Sequence, residues 1–383
     1  MKLQAKNKYL SLFSIGWLGI FLGIFAFGWR STWNFLLIPV KFPSFSDMRT
    51  VQGSLSSIES GFNPQVYNPG DIWERKMNYP TLWSEIAHFF SLDNEINFTL
   101  FMFFSVICFL ICCASLLKKF PSAVMLIFLF SGSTLLLVER GNNDLIIFSL
   151  LYISILKLNF FSVPLFLLAV SLKIFPVLSI VAFYEKRKIL LMQLIGIFPV
   201  LFYLLPELSF IREGTPISAY VSFGSLSLSA LAPRLGIEVS HILISCALFL
   251  SSLVLLIASP ETFKRNLKNY TQREKLFFLT GSSIFLGSFV LSSNWDYRLI
   301  FLVLCIPFLT RIVDAKIKIT IFSLLIISSN QLLLHAVFGA PGAAINIISK
   351  TILFVLLSAI FLYLFWQINL YKNLPLLEKN VRS

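Results

Sequence analysis

The chain predicts an all-α polytopic integral membrane protein, and three observations carry that prediction. Hydrophobic residues make up 57% of the sequence and charged residues only 13%, with a mean hydropathy of +0.83. The apolar residues fall in runs separated by short charged turns, and these runs suit a hydrocarbon core about 30 Å thick at a rise of about 1.5 Å per helical residue. The period-two alternation of a transmembrane β-barrel is absent.

The first run, Tyr9 to Trp29, follows Lys2, Lys6 and Lys8. It is longer than the apolar part of a signal peptide and has no small-residue cleavage site, so it reads as an uncleaved first span. Further spans are expected near 97–117, 120–138, 144–157, 159–172, 174–184, 189–206, 240–259, 276–292, 298–313, 317–335 and 345–371. Together they make eleven or twelve transmembrane helices in a single domain of 383 residues. The two runs 159–172 and 174–184 are short for crossing a bilayer, and Pro176 breaks any helix joining them. They read as a broken hairpin dipping from one face, with Lys173 at its tip. The five cysteines, at 108, 112, 113, 246 and 305, all lie inside apolar runs without ligand or paired spacing. They read as buried small hydrophobes rather than a disulfide framework or zinc site.

The pI near 9.6 records topology rather than nucleic-acid binding. With the N-terminus inside and the hairpin counted as two crossings, the inner segments carry most of the 31 lysines and arginines. Among these are Lys118, Lys119, the stretch 186–188 and the run from Lys264 to Lys275, which includes Lys268. Only five of the 18 acidic residues fall inside, Glu185, Glu261, Glu274, Asp314 and Glu378. Both termini are then cytoplasmic.

That map collects four sequence-distant polar motifs on the outer face: NWDYR at 294–298, ERGNND at 139–144, Lys173, and the long segment Arg30 to Asn97. The last carries SFSDMRTV at 44–51, GFNPQVYNPGD at 61–71 and ERKMNYPTLW at 74–83. Each has an ordinary alternative: an interfacial turn for NWDYR with Arg298 snorkelling, a helix cap for Asp144, a plain loop carboxylate for Asp47. Lys173 is the hardest to dismiss, because a lysine between two half-length apolar runs costs a few kcal/mol unless it meets water or an anion. Their shared side points to one pocket at the outer boundary.

The order of these elements resembles the polyprenyl-phosphate-sugar-dependent glycosyltransferases of the C superfamily (GT-C). Family 87, which includes the phosphatidylinositol-mannoside mannosyltransferases, is the nearest match. The matching residues are Asp47, then Gly61, Pro64 and Tyr67, then Tyr79 and Pro80, then Gly141 and Asp144, then Lys173 and Pro176. The chain departs from the family at Thr81, where a second proline is usual, and at Asn142, where a glutamine is usual.

The resemblance implies a GT-C-type fold whose long first outer loop holds amphipathic helices on the membrane, with Trp73, Trp83, Phe89 and Phe90 on the buried side. It also implies transfer of a hexose such as mannose, with inversion, from a polyprenyl-phosphate sugar to a lipid or glycan acceptor. The site would face outward from a bacterial plasma membrane. Such a displacement needs one carboxylate to take the acceptor proton and cations to steady the departing phosphate. Asp47 is the expected base, with Asp144 and Asp296 in reserve. Lys173 and Arg298 are the expected phosphate ligands, with Arg75 and Lys76 assisting. Tyr67, Tyr79, Asn143, Asp144 and Asp296 are expected to contact substrate, and Asp296 to hold Arg298 in place. His335, beside the GAPG turn, is either an interfacial histidine or a sugar contact. No cofactor or metal is demanded, since lysine and arginine can manage a lipid monophosphate.

Other classes fit less well. A lipid-linked sugar flippase or transporter would show internal repeats and midplane polar sites. A polysaccharide polymerase or ligase would place its large outer loop late in the chain. No cytoplasmic segment is long enough for a nucleotide-sugar domain, and no D-x-D motif occurs in one.

Overall fold

The computed structural model describes residues 2–218, 220–267 and 269–381, with the side chains of 2–6, 234–235 and 368–381 left aside. Lys268 and the side chains of Lys2, Lys6 and Glu378 lie outside the described residues.

Helix dominates throughout, as the apolar periodicity requires. Among the described residues seven helical stretches are long and apolar enough to cross a membrane, and an eighth is a pair bent by 78° at a short break. The first is α1 (Lys2–Phe27), followed by a short α2 (Trp29–Phe35). The outer loop contributes α3 (Arg49–Glu59) and α4 (Leu82–Phe89). Next come α5 (Glu95–Lys119), the broken span α6 (Ala123–Leu129) and α7 (Gly132–Arg140), α8 (Asp144–Lys157) and α9 (Ser162–Leu172). A 3₁₀ stretch, Phe175–Phe183, leads to α10 (Arg187–Leu204) and α11 (Leu208–Gly214). The second half holds β1 (Ser222–Phe223), α12 (Ser225–Leu231), α13 (His241–Ala258), α14 (Pro260–Asn266), α15 (Gln272–Leu291) and β2 (Asn294–Trp295). A second 3₁₀ stretch, Asp296–Cys305, runs into α16 (Ile306–Leu309); α17 (Ala315–Ser329) and α18 (Gln331–Phe338) form the bent pair, and α19 (Ala340–Val381) closes the fold.

Eleven or twelve spans were expected, and the difference lies in the short segments. Helix α8 has 14 residues and α9 has 11, so at about 1.5 Å per residue neither matches a 30 Å core alone. The run expected at 298–313 is mostly 3₁₀ and buried from Leu299 to Leu309. Protein rather than lipid surrounds it, so length no longer has to match the bilayer.

The centre of the bundle is α15, which packs against the two long 3₁₀ stretches, Phe175–Phe183 and Asp296–Cys305. Small residues permit the approach. A Cβ on Gly281 would lie 2.5 Å from the Phe301 carbonyl oxygen, and one on Gly287 would strike the Leu178 side chain. The hydroxyls of Thr280, Ser282, Ser283 and Ser288 donate to carbonyls of their own helix, which satisfies them inside an apolar interior.

The outer loop is a packed structure tied down at several points. Arg49, 4% exposed, forms a two-pronged pair with Glu95 at 2.5 and 2.7 Å. Asn68 accepts from Ser57 and donates to the Thr50 carbonyl, holding α3 against the turn that follows. Thr81 and Gln65 donate to Glu207 beside α11. Trp83 is buried within protein, and its indole N–H donates to the Leu172 carbonyl at 2.9 Å. This differs from its expected place on the membrane-facing side of an amphipathic helix: at the end of α9 the Leu172 carbonyl lacks an intrahelical donor, and the indole N–H supplies one. Phe89 and Phe90 stay exposed, as a lipid-facing edge would require.

Candidate functional site

The motif ERGNND builds the floor of the site. Helix α7 ends in Arg140 and is capped by Gly141 at φ 57°, a left-handed conformation that glycine adopts without strain. A Cβ there would also meet Phe45 at 2.7 Å and Met102 at 2.8 Å. The chain then turns through Asn142, whose side-chain oxygen accepts from the Asp144 backbone N–H at 3.0 Å. Asp144 opens α8, where an acid suits the helix dipole.

Three other segments converge on this floor. From the outer loop, Asp47 accepts a 2.7 Å hydrogen bond at Oδ2 from the Asn142 amide, and its own backbone N–H donates to the Arg140 carbonyl at 2.9 Å. The same amide lies 3.3 Å from the Tyr79 hydroxyl. Asp47 is partly exposed, and among the described residues nothing donates to its Oδ1. From the break after α9, where the backbone is extended at Lys173, the ammonium donates to Asn143 and Asp144 at 2.6 Å each and to Asn142 at 3.3 Å. From the second 3₁₀ stretch, Arg298 brings Nε within 3.5 Å of Asp144 Oδ2 and donates through Nη1 to Asn294. Its guanidinium rests 4.4 Å from the Phe175 ring centre.

Asp144 is fully buried and is the shared counter-ion of two cations that are themselves 12% and 15% exposed. Lys173 and Arg298 therefore exceed their carboxylate by one positive charge. Tyr79 and Tyr297 lie within electrostatic reach of Asp47 and Asp144. Burial, reinforced by those two carboxylates, pushes the Tyr79 phenol well above its usual range, so it remains protonated.

Beside Asp47 lies a second basic group. Arg75 is paired with Asp71 at 2.8 Å and donates to the Ser46 carbonyl at 2.6 Å. Arg140 reaches the Ser46 hydroxyl at 3.3 Å and pairs with Glu139. Lys41 and Arg75 both stand over the Trp73 ring, at 4.1 and 4.4 Å. Burial first, and then the charges of Arg75 and Arg140, lower the Lys41 pKa.

The structure thus brings Asp47, Tyr79, Asn143, Asp144, Lys173 and Arg298 together, with Arg75 one residue removed through Ser46. Four expected site residues stand apart. Lys76 is exposed, Tyr67 is exposed and packs on Phe62, and His335 is exposed with Nδ1 3.1 Å from the Gly339 carbonyl. Asp296 does not hold Arg298. It is buried and accepts from Lys350 at 2.6 Å. The two side chains sit two apart on a 3₁₀ helix with about three residues per turn, which aims them to different sides.

Asn142 and Asn294, which lie within ERGNND and NWDYR, and Lys350, which lies outside the site but pairs with Asp296, were not among the expected site residues. Only Lys350 carried a clear signal, as a lone charge inside an apolar run. Among the described residues no three His, Cys, Asp or Glu side chains are grouped to hold a metal ion. The sequence matches no family model, and no curated protein or solved structure matches it.

Proposed function

We propose that the chain is a membrane glycosyltransferase that moves a hexose from a polyprenyl-phosphate donor to a hydroxyl of a lipid or glycan acceptor, with inversion. The observation that carries this is the pair of cations, Lys173 and Arg298, gathered on one carboxylate beside the anchored Asp47. Two converging cations at the edge of apolar helices suit a phosphate ester whose tail stays in lipid. In the reaction the acceptor oxygen attacks the anomeric carbon, and its proton passes to Asp47 Oδ1. The bond from the anomeric carbon to the phosphate oxygen breaks, its electron pair stays on the phosphate, and Lys173 and Arg298 stabilise that charge. Asn142 fixes the base by holding its other oxygen, and Tyr79 supplies a protonated hydroxyl for the sugar or phosphate. The outer-face placement belongs to the same proposal and follows from the charge asymmetry of the loops.

The test uses purified protein, polyprenyl-phosphate mannose and a bacterial membrane lipid extract. Release of polyprenyl phosphate together with a new mannosylated product is expected. Failure to consume this donor and the corresponding glucose and galactose donors would overturn the proposal.

A further inference from the structure

We infer that Lys350, remote in sequence and outside the site, is a positioning residue that fixes Arg298 for binding the donor phosphate. The inference rests on the donor-phosphate reading above. The Lys350 side chain is 2% exposed, and its ammonium spends its three protons on Asp296 Oδ1 at 2.6 Å, Gln331 Oε1 at 2.7 Å and the Ser222 carbonyl at 3.1 Å. These partners belong to three different elements: β1, α18 and the turn that carries Arg298. That turn has two further ties to β1, the antiparallel pairing of Ser222–Phe223 with Asn294–Trp295 and the Asp296 N–H to the Val221 carbonyl at 3.0 Å.

The ion pair sits midway between the two residues that matter. On one side, Asn294 is anchored through Nδ2 to the Ser288 carbonyl at 2.7 Å, and its oxygen receives Arg298 Nη1. On the other side is Arg298 itself. Fixing Asp296 fixes the path of the backbone between them. Asp296 Oδ2 is buried without a hydrogen-bond partner, so Lys350 is the group that compensates this carboxylate. A cavity lined by Ser222, Ser227, Phe289 and Thr351 adjoins Lys350.

The experiment measures binding of undecaprenyl phosphate by purified protein, alongside the melting temperature, for the wild type and four variants: Lys350→Met, Arg298→Gln, the double variant of these two, and Lys350→Met with Asp296→Asn. Lys350→Met is expected to weaken binding about tenfold, a usual loss when a supporting residue is removed. In the Arg298→Gln background the same change should add less than about twofold, because its route of action is already gone. Lys350→Met with Asp296→Asn leaves no orphan charge, so its melting temperature should recover while its affinity stays low. It also carries the comparison if Lys350→Met alone fails to fold. Affinity that recovers together with melting temperature, equal losses in both Arg298 backgrounds, or binding within twofold of wild type would overturn the inference. If the wild type does not bind undecaprenyl phosphate, or Arg298→Gln binds it as tightly, the donor-phosphate reading falls first and this inference with it.

Discussion

Lys173→Met removes one charge from the site while keeping a side chain of similar length. The ammonium gives three contacts, two of them at 2.6 Å to Asn143 and Asp144. Without it, the cationic neighbour left to buried Asp144 among the described residues is Arg298 at 3.5 Å. Removing one partner of a buried pair costs about 3–5 kcal/mol of stability. The loss for donor binding is separate and smaller. One charge-assisted hydrogen bond to phosphate is worth about 1.5–3 kcal/mol, which corresponds to a donor dissociation constant roughly 10- to 150-fold higher. Acceptor affinity should change by less than about twofold, because only the donor brings the phosphate. Native mass spectrometry on protein titrated with a polyprenyl-phosphate sugar reads the first quantity, and the acceptor dependence of initial rates reads the second. Lys173→Arg, which keeps the charge, should fall between the two. Donor affinity within twofold of wild type in a folded Lys173→Met protein would refute the assignment.

Three further outcomes are expected. Asp47→Asn keeps size and hydrogen bonding but removes basicity, so transfer should fall by about 10²- to 10⁴-fold with donor binding unchanged; near-normal turnover would pass the role of base to another group. Gly141→Ala places a methyl 2.7 Å from Phe45 in a left-handed turn, and differential scanning fluorimetry should register a loss of about 1–3 kcal/mol. In a protein freed of its native cysteines, single cysteines at Ser60 and Glu213 should react with an impermeant reagent on intact cells, whereas one at Lys264, 64% exposed, should react only after lysis. The reverse pattern would invert the topology.

The long spans were legible because hydropathy is a local property. Runs such as Glu95–Lys119 and His241–Ala258 could be placed to within a few residues. The break at Lys173 was legible too, because Pro176 and a charge between apolar runs are both local signals. What escaped the sequence was pairing. Asp296 and Arg298 are two residues apart, yet their partners are Lys350 and Asp144, 54 and 154 positions away. Once the 3₁₀ geometry turns the two side chains apart, nothing local identifies either partner. Asn142 stood out only as a departure from a family pattern. In the structure it links Asp47, Tyr79 and Lys173, a role visible only when three distant segments meet at one amide. The number of spans failed for a related reason. A 3₁₀ stretch enclosed by other helices has an apolar composition like that of a lipid-facing helix, and composition alone does not distinguish the two.

The grip on Ser46 and Asp47 bears on how the proposed reaction would divide its work. Two guanidiniums hold Ser46, and the next backbone N–H is bonded to the end of α7. The segment carrying Asp47, the proposed base, is thereby part of the folded frame. Under the proposed function little reorganisation of that carboxylate would be left for the moment of reaction, because the entropy of ordering it is met during folding. The amide of Asp47 should be among the slowest in the outer loop to exchange with deuterium, with or without donor.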